Sequence, residues 1–325
     1  MKAIKKQSIK SLFIFSLAAL VFTACNKDED PVQNAAQEPS LPAGIWEQKV
    51  YTDVEAPVSY TYGSESYHTL DFFEATDNDL EERPLVILSP GGGFLTYNEV
   101  EKLRLFAQDL SQRGYAVALI QYKIGAQDAE TYLKATQDVR SAIRYFRKNA
   151  TQFRIDTDNI LLGGWSNGAQ ISLTAGFLKE SEVDEIQGTA FRIMIRNAVD
   201  DFGWDNQDNL GYSTDVRAVL GMFLYTFDTL MVDAGDPAMM MINHQGAHLS
   251  NGTNTFGVFT YGGLKQYGTE PLNDRFLNQG FIEGQDLDYI RISNNPGYKG
   301  TNEAPLHHMY YDQIADFYYR NLDLN

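Results

Sequence analysis

The chain has 325 residues, 43% apolar and 13% aromatic, enough to bury one sizeable core and giving no reason to expect disorder past the N-terminus. Its formal net charge is −17 and no basic stripe runs along it, which excludes nucleic acid as a partner, because such a surface repels phosphate backbones. The length is large for one domain but ordinary for a single-sheet α/β unit.

Residues 1–24 read as a signal peptide: a basic start (Lys2, Lys5, Lys6, Lys10), an apolar run from Leu12 to Phe22, then the small Thr23 and Ala24. Cys25 follows, the only cysteine in the chain. A cysteine after a small residue at this boundary resembles a bacterial lipoprotein signal, which implies acylation of Cys25, export, an outer-membrane address and membrane attachment through the N-terminal lipid only. Residues 25–43 have the composition of a flexible tether, with Pro31, Pro39 and Pro42 among Gln, Asn, Ala and Ser. Within them Lys27-Asp28-Glu29-Asp30 resembles the surface-export signal of Bacteroidetes-type lipoproteins, which implies exposure at the cell surface; a solvated charge run is the alternative. The folded domain is expected over 44–325.

Alternation in Val58 to Tyr62 and His68 to Phe73 predicts two antiparallel opening strands around a Gly63-Ser64 turn. The pattern then changes to short runs that are apolar on both faces: Leu85 to Leu88, Ala116 to Ile120, Ile160 to Leu162, Val216 to Leu220 and Met239 to Ile242, with Tyr289 to Ile292 as the last strand. Between them, Val100 to Gln112 and Ala135 to Lys148 repeat apolar residues at helical spacing. Strands alternating with helices in this way predict an α/β fold with a mostly parallel, doubly wound sheet and one core. Glu180 to Leu210 and Leu249 to Gly284 read as insertions that shape a pocket.

Gly164-Trp165-Ser166-Asn167-Gly168 follows one of these strands and precedes the helix-like Ala169 to Leu178. In a nucleophile elbow the residues two before and two after the serine must be small, because strand and helix nearly collide. A serine hydroxyl attacks only when an imidazole takes its proton, and backbone N–H groups then stabilise the oxyanion formed. Pro90-Gly91-Gly92-Gly93-Phe94, the Ser166 elbow, the acidic stretch Asp228 to Asp236 and His307-His308 occur in acyl-transfer order. Together with Tyr132 to Ala150, the approach Arg154 to Ile160 and the C-terminal helix Asp312 to Asn321, they resemble the α/β-hydrolase fold, in its acetylxylan-esterase-like esterase and lipase branch with a His-Gly-Gly-Gly loop. The resemblance implies Ser166 as nucleophile, Gly92, Gly93 and Asn167 as main-chain oxyanion donors, and His307, with His308 close behind, as base. Ser89 and Pro90 stand where relatives carry the histidine of that loop.

The acid departs from the family pattern. His248 occupies the place of the usual aspartate in the stretch Asn243-His244-Gln245-Gly246-Ala247-His248. Asp228 is the expected substitute, since some members of the fold supply the acid after the preceding strand; Asp233, Asp236 and Glu303 are further candidates. His244 and His248 are spaced i, i+4, but Gly246 argues against a helix there and hence against a metal site. The glycines at 91–93 lack the spacing of a dinucleotide fingerprint, so no cofactor is expected. The function implied is a serine esterase acting on small acyl esters, among them acetyl or feruloyl groups on polysaccharides. The alternative is a catalytically impaired relative that binds glycans or a partner at the cell surface. Trp204, Tyr212, Phe223, Tyr225 and Phe227 are candidates for stacking on sugar or for plain packing.

Overall fold

The computed structural model describes residues 41–98, 100–184, 190–244, 256–261, 264–292 and 308–324. The opening alternation becomes a hairpin of β1 (Val58–Thr61) and β2 (Thr69–Phe73), with Val58 opposite Phe72 and Thr61 opposite Thr69. The two-sided apolar runs become β3 (Arg83–Ser89), β4 (Ala116–Ile120), β5 (Ile155–Trp165), β6 (Ala218–Met222) and β7 (Ala238–His244). A two-stranded ribbon of β8 (Val258–Tyr261) and β9 (Leu264–Tyr267) precedes the last strand, β10 (Leu287–Ile292). The main sheet has the order β1-β2-β4-β3-β5-β6-β7-β10. Its strands are parallel from β4 onward, while β1 and β2 form the antiparallel edge. This is the fold class read from the sequence.

The helices in chain order are α1 (Val100–Gln112), α2 (Ala129–Lys148), α3 (Ala150–Phe153), α4 (Asn167–Phe177), α5 (Glu180–Asp184), α6 (Ala190–Phe202), α7 (Thr269–Asn278) and α8 (Tyr311–Arg320). Because side chains alternate across a strand, Leu85 and Ile87 of β3 face one layer and Val86 and Leu88 the other. The first layer holds Val139, Ile143 and Phe146 of α2, Ile171 and Leu173 of α4, and Ile195 of α6. The second holds Leu103, Phe106 and Leu110 of α1 with Ile314, Phe317 and Tyr318 of α8. The sheet is thus covered on both faces, as continuous apolar strands require.

Several boundaries differ from the sequence reading, among them those of α2 and β6. α2 begins six residues before Ala135, because Asp128 caps it by accepting the Thr131 N–H at 2.8 Å. β6 begins at Ala218, after Val216, although the Arg217 N–H already donates to Ile160 O at 2.8 Å. Among the described residues no helix is long and apolar enough to cross a membrane.

His68, at the foot of β2, is buried and stacks on Tyr62 with ring centres 4.9 Å apart. Its Nε2 lies 2.8 Å from Asp138 Oδ1, and Asp138 Oδ2 accepts the Lys123 N–H at 2.8 Å. One buried carboxylate therefore ties the opening hairpin and the segment after β4 to α2. Asp138→Ala strands three donors, His68 Nε2, the Lys123 N–H and Asn206 Nδ2, and should cost roughly 3 kcal/mol. That corresponds to a fall in melting temperature of roughly 6 to 12 °C by calorimetry; an unchanged melting temperature would show that the tie contributes nothing.

Candidate active site

Gly164 to Gly168 span the end of β5 and the first turn of α4. A Cβ on Gly164 would lie 2.3 Å from the Gly168 carbonyl oxygen, and one on Gly168 would lie 2.2 Å from Ser89 O. Strand and helix are in backbone contact, so the turn between them has no relaxed path. Ser166 accordingly sits at φ 54°, ψ −121°, a conformation that costs a residue with a side chain roughly 1 to 3 kcal/mol. Its N–H donates to Met222 O at 2.9 Å, pinning the turn to β6. The serine is 8% exposed at the C-terminal end of the sheet, with α4 starting immediately behind it.

The glycine loop after β3 runs against this serine: a Cβ on Gly91 would come within 3.2 Å of Ser166 Cβ. Gly92 at φ 135° turns the loop back on itself, and Leu95 N–H closes the turn on Gly92 O at 3.2 Å. Of the three expected oxyanion donors, Gly93 has a partner in this structure. Its N–H donates to Asn167 Oδ1 at 2.7 Å and is spent inside the loop. The main-chain N–H groups of Gly92 and Asn167 remain; Asn167 is the first residue of α4, where a helix offers its N–H no partner.

The Asn167 side chain has a role that the motif does not announce. Its Nδ2 donates to Tyr122 Oη at 2.8 Å, and the Tyr122 hydroxyl donates to Pro90 O. Burial pushes the Tyr122 phenol well above its usual range, so it stays neutral and serves as acceptor and donor at once. A closed circuit from Pro90 O through Tyr122 and Asn167 to Gly93 N–H thus anchors the loop, in a chain that has Ser89 and Pro90 where a histidine is usual. Gln127 Nε2 adds a donor to Gly93 O at 2.8 Å. Only the position of Asn167 beside the serine hinted at this, and its partner Tyr122 lies 45 residues away.

The other expected site residues divide. His307, His248, Glu303 and Cys25 lie outside the described residues. His308 is exposed and lines an open cleft with Lys102, Leu105, Asp109 and Tyr311, to which no residue of the elbow or glycine loop contributes. Asp228 is buried, and its carboxylate is engaged: Oδ2 accepts from Arg192 Nε and Oδ1 from Leu230 N–H at 2.8 Å. The structure therefore pairs Asp228 with Arg192. Asp233 and Asp236 precede Ala238, the first residue of β7, and so sit at the N-terminal end of a parallel sheet whose C-terminal end carries Ser166. Both pair with Lys179 there, at 3.3 Å and 2.9 Å. Their distance from the chemistry follows from strand direction alone. Among the described residues no cluster of three or more His, Cys, Asp or Glu has the arrangement to hold a metal ion.

Beside Asn167 opens a cavity of ≈ 110 Å³ whose lining includes Gly93, Phe94, Tyr132, Phe191 and Phe227. Of the aromatics read as stacking candidates, Tyr225 and Phe227 line this cavity, while Phe223 is buried against Trp165 at 5.5 Å and Trp204 lies under the Arg140 guanidinium at 3.7 Å. Asn167 and Gly93 border both this cavity and the glycine loop that runs against Ser166.

Tyr122→Phe removes the hydroxyl shared by Asn167 and Pro90 and leaves two buried polar groups without a partner. Stability should fall by roughly 2 kcal/mol in urea titration. An unchanged midpoint would show that the circuit does not hold the loop.

Residues 70–225 match the family model BD-FAE. A curated relative, endo-1,4-beta-xylanase B of Butyrivibrio fibrisolvens, is 25% identical over 113 residues, which are 34% of this chain and 18% of the relative. Among solved structures, a Bacteroides eggerthii protein described as bifunctional GH43-CE superposes with a TM-score of 0.56 at 18% identity, over 81% of this chain and 35% of that one. The thermophilic esterase Est2 of Thermogutta terrifontis, in its butyrate-bound form, gives a TM-score of 0.57 at 12% identity over 83% of this chain and 96% of that one. The chain spans about a fifth of the xylanase and about a third of the bifunctional protein. Sheet order and these matches together show an α/β-hydrolase fold, with residues 70–225 similar to the BD-FAE model.

Proposed function

We propose that the protein is a serine carboxylic-ester hydrolase that removes small acyl groups, acetyl or feruloyl, from carbohydrate. The observation that carries this reading is the strained Ser166 at the head of α4 with the glycine loop against it at Gly91. Ser166 Oγ attacks the ester carbonyl carbon while His307 takes its proton. The carbonyl oxygen becomes anionic against Gly92 and Asn167, where each fixed donor is worth about 10² to 10³ in rate. Collapse of this intermediate expels the alcohol, protonated by His307, and leaves an acyl-Ser166 that water hydrolyses by the same steps in reverse order. The separate cleft of His308 supports His307 as base. With Asp228, Asp233 and Asp236 committed elsewhere, Glu303 is the remaining carboxylate of those expected to orient it. The xylanase relative and the GH43-CE neighbour support a carbohydrate ester as substrate.

The address belongs to the same proposal: an exported lipoprotein, acylated on Cys25, held to the outer membrane at the cell surface by its lipid. Cys25→Ser should move the protein from the detergent-extracted membrane fraction to the soluble one, and an unaltered distribution would refute the anchor.

The commitment of Asp228 to Arg192 favours one second reading, a relative that has lost turnover and binds glycans. Hydrolysis of p-nitrophenyl acetate separates the two. Ser166→Ala and His307→Ala should each lower kcat/KM by about 10⁴ or more, to background. His308→Ala should retain turnover. Wild-type rates no better than those of Ser166→Ala would sink the esterase reading.

A further inference from the structure

Two contacts join α6 to the loop after β6, and they lie one residue apart on both segments. The rings of Phe191 and Phe227 are stacked, with centres 4.9 Å apart and planes 8° from parallel. The next residues on each side, Arg192 and Asp228, form the buried ion pair. Both rings meet Tyr132 edge-on, at 5.4 Å and 5.6 Å, and the Tyr132 hydroxyl shares a hydrogen with Thr174 Oγ1 of α4 at 2.6 Å. Tyr132, Phe191 and Phe227 all line the cavity beside Asn167.

The cavity wall is therefore hung from two supports. Tyr132 is tied to α4, the helix that begins at the nucleophile. Phe191 is carried by α6, whose distance from the sheet is fixed by Arg192 reaching Asp228 with Nε and Glu182 O with Nη1 at 3.0 Å. A buried pair of this kind contributes little net stability once desolvation is counted, and acts by fixing a register that apolar contacts leave free.

We propose that Phe191 is the residue that sets the size of the group admitted beside Ser166, and that Arg192 and Asp228 are positioning residues that hold α6 at the required spacing. The proposal rests on the esterase reading above and assigns the selectivity of that same site. Stacked rings at van der Waals contact leave no slack, so deleting one opens the cavity by about the volume of a phenyl group. Chain-length preference, rather than the chemical step, is what the ion pair controls.

The experiment measures kcat and KM on p-nitrophenyl acetate, butyrate, hexanoate and octanoate for the wild type, Phe191→Ala, Asp228→Asn and the apolar double replacement Arg192→Met/Asp228→Leu. Melting temperatures are recorded for each. Phe191→Ala should raise the octanoate-to-acetate ratio of kcat/KM by about tenfold. The double replacement, which leaves no unpaired buried charge, should stay folded and flatten the chain-length profile. Wild-type selectivity in a folded double variant would overturn the positioning role. An equal loss of kcat on every ester in Asp228→Asn, with KM and selectivity unmoved, would instead make Asp228 the partner of the catalytic base. The cavity claim has a readout that needs no turnover: hexanoate titrated calorimetrically should bind Phe191→Ala about fivefold or more tighter than wild type, by the extra apolar surface admitted. Equal affinity would overturn it, whether or not the wild type hydrolyses any ester.

Discussion

At the elbow, β5 and α4 approach until main chain touches main chain, and neither Gly164 nor Gly168 has room for a single methyl. The same contact involves a third party. The atoms nearest to Gly168 are the carbonyls of Ser89 and Pro90, the residues that lead from β3 into the glycine loop. β3 and β5 are paired in register up to Ser89 opposite Gly164, so the two motifs are brought together by sheet pairing, although more than seventy residues separate them. The strain in Ser166, the nearness of the loop and the free N–H at the head of α4 are three results of one close approach.

Around that point the protein uses two kinds of polar construction. The glycine loop is held by neutral groups, in which Asn167 and the buried phenol of Tyr122 satisfy each other and the main chain. Such a circuit adds no charge next to the place where negative charge would develop, and it asks for no reorganisation there. The cavity wall is held by a charged pair, Arg192 with Asp228, set behind the rings. Fixed neutral dipoles sit at the mouth and the compensated charge is kept at the back.

The strands were readable because their apolar runs are buried on both faces, and the elbow was readable because backbone collision restricts the residue types that can flank it. α6 was not, since Phe191, Ile195 and Ala198 make a sparse apolar stripe inside a stretch that reads as an insertion. The fate of Asp228 was hidden for a related reason: its partner Arg192 lies 36 residues earlier and in no motif. Gly93 and Asn167 show a finer limit. Sequence comparison suggests which N–H groups line a hole, but a side-chain amide that consumes one of them is a matter of ångströms. Asp233 and Asp236 looked comparable to Asp228 along the chain, and strand direction alone removes them to the opposite edge.

The C-terminal helix has a bearing on the order of assembly. The Tyr318 hydroxyl of α8 donates to Leu162 O in the middle of β5, a contact that spans 156 residues, and that hydroxyl lies 3.0 Å from where a Cβ on Gly163 would be. The strand that leads to Ser166 is therefore sealed by a helix far along the chain. Contacts of such long sequence separation carry a large loop-closure cost and form late. A chain in which α8 has not yet docked lacks this seal on β5, the strand that ends at the strained turn. The strained turn is then secured only once α8 has docked.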